Sequence, residues 1–118
     1  MPVVGPDFIS LQVRDLEAAA SFYETRLGLR PAPGPPHAVV FATSPVPFAV
    51  RDVLPGTTLT WPGDGVALWL LADDAQSLHD DLAAAGVPIV SDPVDGPFGR
   101  TFTFRDPDGY AVTIHDKA

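Results

Sequence analysis

Residues 8–29 read FISLQVRDLEAAASFYETRLGL, and the change of period inside this stretch decides the fold. Ile9, Leu11 and Val13 alternate with Phe8, Ser10 and Gln12, the period of a half-buried strand. Asp15 then stands where a helix N-cap belongs, since its carboxylate can accept from the first free backbone N–H groups. Leu16, Ala20, Tyr23 and Leu27 follow at helical spacing with Phe22 beside them, and Gly28 offers the left-handed residue that ends a helix. The reading is strand, helix, glycine stop.

The same grammar returns further along. VALWLL, residues 66–71, reads as a strand, Asp73 and Asp74 offer a cap, and Ala75, Leu78, Leu82 and Ala85 run at helical spacing up to Gly86. Asp15 falls on Asp73 at an offset of 73 − 15 = 58, and Gly28 falls on Gly86 at 86 − 28 = 58. That offset also sets Leu11 on Trp69 and Val13 on Leu71, so the sequence predicts an internal repeat. In the first copy AVVFAT (38–43) and PFAVRDV (47–53) complete the strands, and in the second VPIV (87–90), RTFTF (100–104) and YAVTIH (110–115) do so. Prolines around the first set point to edge or exposed positions.

Two βαβββ modules in an α+β fold are therefore expected within one domain over residues 1–118: module one at about 7–54, a Gly-, Pro- and Thr-rich linker at about 55–65, and module two at about 66–116. A half of this size cannot cover the apolar face of its own sheet. The modules are expected to pair, giving a cupped mixed sheet with helices on the outer face and a concave face left available.

Composition narrows the function. Fifteen acidic residues against seven basic ones give a net charge of −8, which argues against nucleic acid, whose phosphates need a basic patch. The acidity fits solubility and would also favour a cationic ligand. There is no cysteine, so thiolate zinc sites, disulfides and cysteine nucleophiles are unavailable. The opening MPVVGPDF lacks the charged and apolar regions of a signal peptide, and no apolar run is long enough to span a membrane. The expectation is a soluble, cytoplasmic protein.

The chain closes on FRDPDGYAVTIHD, residues 104–116. Asp106, Pro107 and Gly109 occupy the positions that a type I turn prefers, so Asp106 and Asp108 read as turn formers rather than catalytic acids. Residues 8–29 together with PFGRTFTFRDPDGYAVTIHD resemble the opening and closing motifs of the vicinal oxygen chelate superfamily, which holds glyoxalase I, extradiol dioxygenases, fosfomycin resistance enzymes and bleomycin resistance proteins. The resemblance runs from Phe8 to Asp116 and implies the paired-module fold.

It also implies where a metal would sit. The family's metalloenzymes hold a divalent ion with imidazoles and carboxylates from four strand positions. Carried onto this sequence, those positions are Phe8, Ala67, Thr113 and, in the fourth strand of the first module, Ala49 or Val50. None offers an ordinary ligand, because a divalent ion needs imidazole or carboxylate donors. No metal, cofactor or catalytic residue is therefore expected. His79 reads as a solvated helix residue beside acidic neighbours. His37 and His115 carry the alternative, a metal-dependent lyase, isomerase or dioxygenase using both with an unplaced carboxylate.

Strand alternation gives the expected lining of the cup: Phe8, Ser10 and Gln12; Ala67, Trp69 and Leu71; Thr101, Thr103, Thr113 and His115; and Val50 with Phe48. Trp69 is the residue best suited to stack on a planar or cationic ligand. Trp61 is read as a lid or a dimer contact, and Arg100 as an anchor for a ligand's acid group or one half of a rim ion pair. This lining makes a neutral pocket with aromatic walls, the usual makeup of a small-molecule site, and PFGRTFTFRDPDGYAV with Trp69 in VALWLL resembles the corresponding segments of the metal-free bleomycin resistance group, whose homodimers bind drugs without modifying them. The reading is a dimeric, metal-free protein that sequesters a small aromatic or hydrophobic compound, with antibiotics and cationic compounds among those that fit.

Overall fold

The computed structural model describes residues 2–117. The chain forms two compact units, Met1–Thr60 and Trp61–Ala118. In the first, β1 (Ile9–Val13), α1 (Leu16–Thr25), β2 (Pro31–Ala32), β3 (Ala38–Phe41) and β4 (Phe48–Asp52) follow in order. The second repeats the order with β5 (Leu68–Leu71), α2 (Ala75–Ala84), β6 (Ile89–Gly96), β7 (Gly99–Arg105) and β8 (Ala111–His115). Strand pairing stays within each module, giving two four-stranded sheets of identical order, β1-β4-β3-β2 and β5-β8-β7-β6. In each, the first strand runs parallel to the last and the remaining pairs are antiparallel.

Each helix buries one face of its own sheet. Tyr23 of α1 packs against Phe48 at 5.0 Å and Phe41 at 6.2 Å between ring centroids, over fully buried Val13 and Val50. In module two, buried Leu82 of α2 covers a sheet face carrying Phe102, Phe104, Val112 and Ile114, all within 1% of complete burial. His79 belongs to this packing: its ring stands edge-on to Phe102 at 5.3 Å and is largely covered, so it is not the solvated residue that the sequence suggests.

The repeat is real, but its strand phase differs by one residue from the offset of 58. The N-caps are Asp15, accepting from Ala18 N–H at 3.1 Å, and Asp74, accepting from Ser77 N–H at 3.0 Å, an offset of 74 − 15 = 59. Ser10, not Leu11, therefore corresponds to Trp69. The discrepancy arises at the helix ends. After α2, Gly86 N–H donates to Ala83 and Val87 N–H to Leu82, spans of three and five residues. After α1, Gly28 N–H donates to Glu24 and Leu29 N–H to Tyr23, spans of four and six. The first module thus carries one extra residue in its closing turn, which restores an offset of 58 at the two glycines, both at positive φ.

The closing turn behaves as expected. Buried Asp106 accepts from the N–H groups of Asp108 and Tyr110 at 3.0 and 2.9 Å through one carboxylate oxygen, so it serves the backbone. Among the described residues no helix is long and apolar enough to cross a membrane.

Candidate functional site

The face of the second sheet turned away from α2 is built in rows, because residues opposed across a ladder point to one side. Leu71, His115 and Thr101 form one row, Trp69, Thr113 and Thr103 the next, and Ala111 and Arg105 a third. Sequence alternation placed Trp69, Thr103, Thr113 and His115 together, and here they do share a surface. The Thr103 and Thr113 hydroxyls lie 2.8 Å apart at half-buried positions. That bond leaves lone pairs over for a ligand.

One aromatic was missed. The chain turns between β6 and β7 at Pro97 and Phe98, with Gly96 opposite Gly99. This brings the Phe98 ring to 5.8 Å from Trp69 and 6.3 Å from His115, while Trp69 and His115 are 5.7 Å apart. The three rings meet at 60° to 82°, edge or tilted contacts that fix one another's orientation. Even so, Trp69 is 48% and Phe98 54% exposed. The available signal was local: an aromatic held in GPFG, between turn residues, with no strand position to bury it.

A shared anchor holds this corner together. The Asp116 carboxylate accepts from Ala75 N–H, the first residue of α2, at 3.1 Å and from Arg100 N–H at 2.9 Å. Its pKa is lowered, first by the bond from Ala75 and then by that from Arg100. Lys117 N–H donates to Phe98 O at 3.0 Å, and His115 Nδ1 lies 3.2 Å from Lys117 O.

Three expected lining residues lie elsewhere. Register sets Phe48 opposite Ile9 and Val50 opposite Leu11, so both point to α1 and are 3% and 0% exposed. The face of module one turned away from α1 carries exposed Ser10 and buried Ala49 instead, and Ala49 is the position equivalent to Thr113, since each stands opposite a first-strand residue of the repeat. Arg100 alternates with Thr101 onto the α2 side, where its guanidinium pairs with both Asp95 oxygens at 3.1 Å and donates to Gln76 Oε1 at 2.9 Å. It is an ion-paired residue, not a free anchor on the open face. Phe8 and Ala67 precede β1 and β5 as exposed residues, each seven before its cap (15 − 8 and 74 − 67).

The resemblance expects metal ligands at Phe8, Ala67, Thr113 and either Ala49 or Val50; register selects Ala49 for the last, and the four offer a single hydroxyl between them, already bonded to Thr103. They do not fit a divalent ion. Among the described residues no group of three or more His, Asp or Glu could hold one. His37 Nδ1 is 3.1 Å from Asp52 Oδ2 on the surface of module one, whereas His115 sits within the aromatic cluster of module two without a carboxylate partner among the described residues.

Beside the third row lies an open cleft of about 670 Å³, lined by Trp61, Asp64, Arg105, Ala111 and the glycines 63, 65 and 109. Trp61 stands 78% exposed at its mouth.

The Glyoxalase/Bleomycin resistance protein/Dioxygenase superfamily model matches residues 5–114. Among solved structures, TnmS3, an antibiotic-binding protein from Streptomyces sp. CB03234, is 25% identical with a TM-score of 0.77, covering 100% of this chain and 99% of its own. A glyoxalase/bleomycin resistance protein from the same Streptomyces is 27% identical with a TM-score of 0.74, covering 95% of this chain and 100% of its own. A lactoylglutathione lyase from Agrobacterium tumefaciens shares the fold at 21% identity and a TM-score of 0.70, covering 98% of this chain and 96% of its own. No curated protein matches the sequence.

Proposed function

Because this chain belongs to the Glyoxalase/Bleomycin resistance protein/Dioxygenase superfamily, we propose that it is a metal-free binding protein that sequesters a flat aromatic or hydrophobic small molecule in the cytoplasm. Antibiotics are the class that fits best. The observation that carries the reading is the cluster of Trp69, Phe98 and His115, half-exposed yet orientationally fixed, beside the Thr103–Thr113 hydroxyl pair. Aromatic walls with a few directed polar groups are the usual makeup of a small-molecule site. A ring system laid on this surface gains stacking and apolar burial from Trp69 and Phe98, and its orientation from the hydroxyls. The likeness to an antibiotic-binding protein across the full length of both chains supports the same reading.

The donor set argues in the same direction. Family metalloenzymes rely on a Lewis acid to polarise a substrate oxygen, and the residues at the corresponding positions here are two alanines, a phenylalanine and a threonine. Binding without turnover is the function those side chains can carry out. A homodimer belongs to this reading, supported by the apolar surface that Leu71 and Val94 leave exposed on the second sheet.

Native mass spectrometry of protein purified without chelator, joined to tryptophan-quenching titrations with a panel of flat polycyclic antibiotics, tests it. The expected result is saturable binding of a compound recovered chemically unchanged, weakened about tenfold by Trp69→Ala. Stoichiometric divalent metal together with an activity lost on chelation would overturn it.

A further inference from the structure

The cleft beside Trp61 contains two opposite charges that do not pair. Arg105 makes one side-chain hydrogen bond among the described residues, from Nη1 to Gly109 O at 2.8 Å. The Asp64 carboxylate has no hydrogen-bond or ion-pair partner among the described residues, although it lines the same cleft. In a chain with a net charge of −8, an arginine and an aspartate that share a cleft without a mutual ion pair leave complementary positions for a third body. Trp61 adds an indole face with most of its area exposed.

The loop bearing these groups is held in shape. Asp64 N–H donates to Trp61 O at 3.1 Å and Val66 N–H to Gly63 O at 2.9 Å, two successive tight turns. Gly63, at φ +73, lies so close to Tyr110 that a Cβ there would stand 2.9 Å from the ring. A loop pressed onto a buried tyrosine presents Trp61 and Asp64 with little ordering left to do on binding.

We propose that this cleft is a recognition site for flat aromatic compounds carrying both an acid and an amine. The ring stacks on Trp61, the acid pairs with the Arg105 guanidinium, and the amine lies against Asp64. A purely cationic or anionic compound satisfies one charge and meets the other as a like charge. The site uses none of the residues of the Trp69 cluster, so it stands or falls separately from the binding proposed there.

Three probes of one ring system decide it: L-tryptophan (acid and amine), tryptamine (amine only) and indole-3-acetate (acid only). With two tryptophans in the chain, the protein's indole N–H signals in ¹H–¹⁵N spectra are assigned by Trp61→Phe and Trp69→Phe. L-Tryptophan is expected to shift the Trp61 signal saturably and to bind about threefold more tightly than either single-charge probe, in line with the strength of exposed charge pairs. Arg105→Gln should abolish its advantage over tryptamine, and Asp64→Asn its advantage over indole-3-acetate. Equal affinity for all three probes, or no movement of the Trp61 signal, overturns the proposal. A shift confined to the Trp69 signal also overturns it while leaving the Trp69 cluster as the binding surface.

Discussion

The ring of Phe98 stands edge-on to the indole of Trp69, with centroids 5.8 Å apart and planes at 75°. A hairpin turn thereby braces a strand residue that also meets the His115 ring at 5.7 Å and is still 48% exposed. Phe98→Ala should free the indole while leaving the buried core intact. Edge-to-face pairs contribute about 0.5–1.5 kcal/mol, so ligand affinity at this surface should fall about three- to tenfold with little change in Tm. Calorimetric titration of wild type and variant with the same antibiotic checks this. A large loss of Tm would instead make Phe98 a core residue.

Arg100 is engaged within the fold. Its bonds to Asp95 and Gln76 tie β7 to β6 and α2 on the helix side of the sheet. Arg100→Ala should lower stability by about 0.5–1 kcal/mol, the range for a partly exposed bidentate pair, and leave antibiotic affinity within twofold. Urea unfolding alongside the binding titration separates the two; a tenfold loss of affinity at unchanged stability would restore the role of ligand anchor.

Gly99 is required twice over, by its φ of +83 and by its neighbours, since a Cβ would collide with Asp116 Oδ1 and crowd Lys117 Cβ and the Lys117 backbone nitrogen. Gly86 shares the backbone requirement, at φ +81, but has open space around it. Gly86→Ala should cost about 1 kcal/mol from the left-handed backbone alone, and Gly99→Ala at least about twice that. Chemical denaturation of the two variants measures the difference; equal losses would mean that Asp116 and Lys117 shift aside at no cost.

The Asp116 bonds also predict a pH dependence. The folded-state pKa is depressed, so the native state holds this carboxylate's proton less readily than the unfolded chain does. Stability from this group is therefore fully present above the unfolded pKa and is lost as pH falls through the folded value. Asp80 acts with the same sign, lowered first by the bond from His79 and then by that from Gln76. Thermal melts over the acid range should show Asp116→Asn less stable than wild type near neutrality and converging on it as the pH drops. Parallel curves at every pH would remove the linkage.

Much of this architecture could be read from the chain because its signals are local. Asp15 followed by Leu16, Ala20 and Tyr23 marks a capped amphipathic helix whatever surrounds it, and the turn at Asp106 to Gly109 is written in four residues. The open-face membership of Trp69, Thr103, Thr113 and His115 followed from period-two alternation. Alternation, however, only separates two sets of side chains. Which set faces the helix depends on the register with a partner strand, and a slip of one residue exchanges the faces. That is why Phe48 and Val50, alternating as cleanly as any strand, lie on the α1 side, with Phe48 against Tyr23.

The sequence by itself determined two βαβββ modules and most of their caps and turns, because each depends on residue identity at short range. Only the tertiary structure decided that Asp74 and not Asp73 caps α2, that Phe98 joins Trp69 and His115, that Arg100 is held by Asp95 and Gln76, and that Arg105 and Asp64 share a cleft unpaired. Each of these depends on where a helix end, a hairpin tip or a loop comes to rest against residues distant in the chain, and such contacts leave no period in the sequence.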